Sequence, residues 1–459
     1  MGDNARRARR VLVVLASCGL LGAAACSDGS RTGGTAAPLV TAAAMNGATT
    51  EAHPGLAPGS SATTAPTTTD LADDPRSTID CRPHSIADRT QRSLALDPTD
   101  HDIVYVGVEG HGFFKSVDGG KSWHRAQSGL KAWKRSDGAG LCFEEFYETI
   151  VDSANTSRLC IARAGGPGLV STIGSTGTNG VYCSSDGGTS WTQRVSATMN
   201  TAVYALAGDP NDPRVMYAGV NGGPCSVGTC APNTYFNTTG AIYKTTDGGL
   251  TWRELDAQYV PDMRVMALRV DPANPKVIVA ATFSKIQSGG PGNFAGPQAG
   301  VLRTTDGGVT WTASTQGMSS DPREQALLFM ELSPLNANYV FVTASSNTSY
   351  ASSDGGLTFN KTKRMTAVAF DPNDPSGRHM IGCSGDRIMA SRDAGVTWTD
   401  LGATPAVFSV PADLPTDFEW SRTDPNMIYM SGGHASVLRS NDGGHTWVRV
   451  LSSETLPDK

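Results

Sequence analysis

The chain has no apolar run long enough to cross a bilayer: its longest, residues 11–21, falls far short of the ~20 residues that a spanning helix needs. It has no surplus of positive charge either, with 37 Lys and Arg against 43 Asp and Glu and no basic stripe. Nucleic acid and anionic membrane surfaces are therefore not expected partners. No Cys-x-x-Cys occurs and no His pair accompanies the cysteines, so a zinc site is not expected, and nothing calls for another metal or a cofactor. Residues 27–75 are mostly Ala, Thr, Gly, Ser and Pro and hold no Phe, Trp or Tyr, and such a stretch cannot bury enough apolar area to fold.

What the N-terminus does have is an export signal. Arg6-Arg7 and Arg9-Arg10 precede the apolar run, and small residues follow it up to Cys26, the layout of a cleaved leader. Residues 1–25 read as that leader. Cys26 after three alanines resembles a bacterial lipobox and is the expected lipidation site, with ordinary cleavage nearby as the alternative. Residues 26–77 read as a tether and 78–459 as the folded part, which makes the chain a cell-surface lipoprotein or a secreted protein. Removing the leader, with its four Arg and Asp3, takes the net charge from −6 to about −9. Export favours disulfides. Cys225 and Cys230, in a Gly-rich loop, are an expected bridge. Cys160 and Cys183 can pair across a β ladder, with Cys142 as a competing partner. The folded part has seven cysteines, so at least one stays free or pairs between chains.

The folded part is organised by an eight-residue phrase that occurs seven times: SVDGGKSW from Ser116, SSDGGTSW from Ser184, TTDGGLTW from Thr245, TTDGGVTW from Thr304, SSDGGLTF from Ser352, SRDAGVTW from Ser391 and SNDGGHTW from Ser440. A loose period of about 54 residues is in the range of propellers and solenoids. The Asp can bond its own backbone two residues on, the glycines supply positive φ, and the closing aromatic plugs the sheet. An apolar strand ending in Asp-Pro precedes most boxes, as in LALDP, YALAGDP, ALRVDP and AVAFDP. Proline ends the ladder there because it has no donor. Each repeat reads as four antiparallel strands, A to D, and seven such sheets make an all-β, seven-bladed propeller.

These boxes resemble the Asp-box, or BNR, repeats of sialidases, sortilin-type receptors and xyloglucanases. The resemblance implies the propeller fold and, for function, a glycan or protein ligand or a glycoside hydrolase acting on polysaccharide, with an assembly or scaffold factor as a further reading. No Arg-Ile-Pro phrase of the sialidase type occurs. The stretch matching the xyloglucanase first-blade motif is Val108-Glu109-Gly110-His111-Gly112, where Glu109 stands and the family's catalytic Asp does not.

The boxes are C–D turns, so their carboxylates read as structural. Irregular length gathers instead on the opposite face, in the B–C loops 164–180, 221–240 and 283–300 and the crossovers 127–143 and 402–418, and long loops tend to carry function. The residues opening the A strands are expected to ring the channel there. Glu145 with Glu419 is the expected catalytic pair, with Asp417 as substitute. Trp133, Glu144, Tyr147, Asp262, Arg264, Arg364 and Trp420 are expected ligand contacts, and a monomer is expected.

Overall fold

The structure is a computed structural model that describes residues 78–79, 93–135, 141–143, 145–164, 179–194, 202–221, 240–255, 263–284, 300–346, 348–405, 415–433 and 435–457. Residues 1–77, Cys26, Glu144, Cys225, Cys230 and Asp262 lie outside them.

Seven four-stranded antiparallel sheets follow one another along the chain, each in the order A-B-C-D, and form a seven-bladed β-propeller. Blade one runs through Ala95–Asp97, Asp100–Val108, Gly112–Ser116 and His124–Arg125. Blade two runs through Glu145–Val151, Leu159–Ala164, Gly180–Ser184 and Thr192–Gln193. The A strands of blades three to seven are Ala202–Asp209, Met263–Val270, Leu327–Leu332, Ala367–Phe370 and Asp417–Trp420. Among the described residues the α-helix is confined to one turn, Pro322–Gln325, ahead of blade five.

Two turn chemistries repeat. After the A strand the Asp side chain accepts the backbone N–H two residues on: Asp97 from Thr99, Asp152 from Ala154, Asp209 from Asn211, Asp271 from Ala273 and Asp371 from Asn373, all at 2.8 Å. In the boxes the Asp reaches further than its position suggests. Oδ1 accepts the N–H four residues on, from Ser122, Ser190, Thr251, Thr310, Thr358, Thr397 and Thr446, and Oδ2 accepts that residue's hydroxyl. The opening Ser or Thr donates to Oδ1 and accepts the second glycine's N–H, as Ser116 does from Gly120. Two consecutive left-handed residues, Gly119 (φ 71°) and Gly120 (φ 84°), fold the chain back and bring the fourth residue to the carboxylate. Ala394 takes φ 59° in the sixth box and keeps the same bonds.

The closing aromatics do not all sit equally deep. Trp123, Trp191, Trp252, Trp311 and Phe359 are buried. Trp123, Trp191 and Trp252 send their indole N–H to carbonyls that follow or lie in the preceding blade's D strand, those of Val450, Ala126 and Arg194. Trp398 and Trp447 are only half-buried, and their N–H groups turn back to Gly395 and Gly444 in their own boxes.

The core is divided into seven apolar wedges, one in each gap between neighbouring blades. The gap between blades seven and one is filled like the others, with Leu96, Val104, Val106 and Trp123 against Tyr429, Val437, Leu451 and Leu456. A cation on the C strand just before the box also reaches the next blade's box. Lys115 donates to Gly187 O at 2.8 Å, Lys244 to Gly307 O at 3.2 Å, and Arg439 to Gly119 O at 2.7 Å. The last of these bonds closes the ring.

Thr78–Ile79 pairs in parallel with Trp133–Arg135, which pairs with Leu141–Cys142 in the crossover between blades one and two, and adds no edge strand to a blade. Closure is supplied by the wedge and by Arg439, so blade seven needs no borrowed strand. Cys160 and Cys183, direct partners on strands B and C of blade two, form a disulfide, and Cys383 is a buried free thiol.

Candidate functional site

The A strands line the propeller channel and can be aligned on the residue that starts the A–B turn, whose N–H bonds across the turn: Asp152 to Arg158, Asp271 to Val277, Ser333 to Tyr339, Asp371 to His379 and Ser421 to Met427. Two residues before that position stand Ile150, Arg269, Glu331, Ala369 and Glu419. Four before it stand Glu148, Ala267, Phe329, Ala367 and Asp417.

These two levels bring charge together. Arg269 bonds Glu331 through two nitrogens, at 2.6 and 3.2 Å, and reaches Glu148 at 3.3 Å, so a blade-four cation ties blade five to blade two. Burial disfavours the guanidinium's charge, but the two carboxylates outweigh it and hold its pKa well above the ordinary value. Glu419, from blade seven, is in the opposite position. Burial, then the charges of Glu331 and Glu148, push its carboxyl up to about 8 against the pull of Arg269 and Arg422. At neutral pH it is mostly a neutral acid. Around the group is a cavity of about 320 Å³ lined from six blades, with Pro272, Pro334 and Pro372 of the A–B turns at its rim. An adjoining cavity of about 360 Å³ carries the lining on to Leu96 and Pro98 of blade one. Both lie toward the Asp-Pro turns, the end opposite to the one at which the site was expected.

The other end has a feature of its own. The A strands of blades two to five each carry a β-bulge at one level, five residues before the turn, which leaves Tyr147, Tyr204, Met266 and Leu328 outside the ladder. A bulge re-aims a side chain without ending the strand. Tyr147 meets Tyr204 of the next blade edge to face, ring centroids 4.6 Å apart, and donates its hydroxyl to Glu145. Burial and then the Glu145 carboxylate drive the Tyr147 phenol pKa well above its usual value. Leu328 is 41% exposed.

The expected site residues thus divide between two ends. Glu145, Tyr147 and Arg264 are at the strand starts, and Arg364 is exposed just ahead of the blade-six A strand. Trp133 is in the crossover sheet. Glu419 and Trp420 close their short strand instead of opening it. Trp420 is buried, donates to Pro425 O at 2.8 Å and packs edge-on to His379. On the blade-two ladder Glu145 stands four pairs above the level of Glu419, roughly 13 Å at ~3.3 Å per residue. That exceeds the ~5–9.5 Å between glycosidase carboxyls. Asp417 is two pairs away, roughly 7 Å by the same rise. Glu148, Arg269, Glu331 and Arg422 were missed. The available signal was a charge two residues before the turn in an otherwise apolar strand, as in ALRVDP and FMELSP.

No family model matches the chain. Among curated proteins it is 27% identical over 188 residues to a xyloglucanase of Hypocrea jecorina, which is 40% of this chain and 20% of that protein. It is 24% identical over 259 residues to an oligoxyloglucan-reducing end-specific xyloglucanase of Emericella nidulans, 50% of this chain and 29% of that protein. The chain therefore spans less than a third of the length of these relatives. Similar solved structures include an ancestral GH74 enzyme (TM-score 0.55, 14% identity, 80% of this chain and 46% of that one). YCF48 bound to D1 peptide is another (TM-score 0.50, 15% identity, 77% and 94%). At these identities the solved structures share the propeller fold with this chain.

Proposed function

We propose that the protein is an exported propeller that binds a glycan across the channel mouth formed by the A-strand starts. The observation that carries this reading is the set of four bulges at one level, which turn Tyr147, Tyr204, Met266 and Leu328 out of the ladder. Aromatic and apolar faces beside a few polar groups are what ligand sites are built from, and sugar rings stack on such faces. Glu145, Arg264 and Arg364 supply hydrogen-bonding groups to the ligand, with Trp133, Glu144 and Asp262 on the neighbouring segments. The two curated relatives are named for xyloglucan, which makes a plant-type β-glucan the first ligand to try. The Cys160–Cys183 bridge suits an oxidising compartment. Within the same proposal, Cys225 pairs with Cys230, and Cys26 carries the lipid that holds the domain at a cell surface through the 26–77 tether.

The test is calorimetry against a polysaccharide panel headed by xyloglucan. Leu328→Ala, at the exposed one of the four positions, is expected to weaken binding about tenfold, ~1.4 kcal/mol, with the thermal midpoint little changed. Full affinity in that variant, or no binding by the parent, rejects the reading. A glycoside hydrolase is the second reading, favoured by Glu419, an acid with a raised pKa, beside Asp417. Release of reducing ends from the same panel, abolished by Glu419→Gln, would establish it.

A further inference from the structure

The turn end of the channel carries four carboxyl groups, Glu148, Glu331, Asp417 and Glu419, and two cations, Arg269 and Arg422, and no other titratable side chain lines the 320 Å³ cavity. Arg269 is committed to Glu148 and Glu331 through three bonds. Glu419 has no hydrogen-bond or ion-pair partner among the described residues, although it faces this cavity and four charged neighbours surround it. Arg422 is exposed at the rim. The balance of charge is negative, and the carboxyl without a partner is on the inside while the cation is on the outside. Phe370, Phe418 and Trp420 add buried apolar wall, which suits a methylene stem behind a charged head.

We infer that this end of the channel binds a small ligand, or the tip of a longer one, carrying a primary ammonium group that pairs with Glu419 beside Asp417. An anion entering here would meet Glu331 and Glu148, and a neutral ligand would leave the Glu419 carboxyl without an ionic partner. The site is distinct from the glycan platform at the strand starts and does not rest on it.

The pairing has a proton signature. Glu419 is pushed up to about 8 by burial and by Glu331 and Glu148, with Arg269 and Arg422 opposing. Blades one, three and six place Ala95, Ala207 and Ala369 at its level. The charges nearest the adjoining cavity are Asp152, Arg158 and Asp209, of which Arg158 pairs with Asp152 at 3.7 Å. At pH 7 Glu419 therefore holds its proton in the free protein and gives it up when an ammonium arrives, so binding releases a proton to buffer.

Calorimetry with 1,4-diaminobutane, in two buffers of different ionisation enthalpy, tests this. Release of close to one proton per site is expected at pH 7, with affinity rising about tenfold from pH 6 to pH 7 as the proton becomes easier to remove. Glu419→Gln should weaken binding at least tenfold and abolish the release, and Arg422→Ala, a change at the exposed rim, should keep the release. No binding at millimolar diamine, binding without proton release, parent-like affinity in Glu419→Gln, or tighter binding of acetate than of the diamine overturns the site. Should Glu419→Gln fail to fold, the parent protein decides: an affinity that does not rise from pH 6 to pH 7 overturns it instead. Glycan binding is read separately, so the two proposals fail independently.

Discussion

The box aspartates show how a repeated residue becomes a repeated stabiliser. Asp118 and Asp247 are held down to about 2, by the hydroxyl and N–H of Ser122 and of Thr251 respectively. Asp306 is lower still, chiefly through Thr310. Unfolded Asp titrates near ~3.9, so between about pH 4 and pH 2 the unfolded chain binds more protons than the folded one. The contribution of the boxes is thus complete above about pH 4 and is lost as the pH falls toward 2. Urea midpoints measured across pH 7 to 2 should fall steeply below about pH 4, and Asp247→Asn should make that fall shallower. An identical slope in the variant would show that the boxes are not the source. The same carboxylates are saturated by their own turns, which is why seven aligned aspartates make a structural device and not a binding array.

At the scale of the element, the clasp aromatic does different work in different blades. Trp191 is 4% exposed and donates to Ala126 O across the gap between blades two and one, beside Phe113 at 5.2 Å. Trp191→Ala should cost about 3–5 kcal/mol. Trp398 is half-buried and bonds its own box, so Trp398→Ala should cost clearly less. Equal losses in chemical denaturation would contradict this ranking. The A strand shows a similar division of labour. Its alternate residues fill the wedges, while one bulge and two channel-facing positions are left to vary, and both proposed sites use those positions.

For the whole molecule, the question is how a ring of seven independent sheets closes without sharing a strand. Blade seven is built from 417–451 alone, and the closing contacts are side-chain contacts: the shared wedge, Arg439 to Gly119, Trp123 to Val450 and Tyr429 to His101. Ending the chain before Val448 removes Leu451, Leu456 and the Val450 carbonyl that accepts from Trp123 across the gap. Calorimetric unfolding of that truncation should broaden and shift to lower temperature, because a ring with one open gap loses nearest-neighbour support on both sides of it. A single sharp transition at the parent temperature would mean that closure lies elsewhere.

The sequence by itself determined the repeat. Asp, two residues able to take positive φ, a hydroxyl and an aromatic form a local device, and seven copies with Asp-Pro turns between them allow one architecture. The Cys160–Cys183 pairing was visible as one alternative, because B and C strands are neighbours within a repeat. What only the tertiary structure decided is everything set between repeats. Glu148, Arg269, Glu331 and Glu419 come from blades two, four, five and seven, and no local pattern says that they share a level, since that level depends on bulges and on counting back from each turn. For the same reason Glu145 and Glu419, both reasonable rim carboxylates on the page, fall at different depths. The depth of a tryptophan, the reach of Arg439 and the pKa of Glu419 likewise depend on the neighbouring blade, and proximity across a ring closed through side chains is a property of the assembled whole.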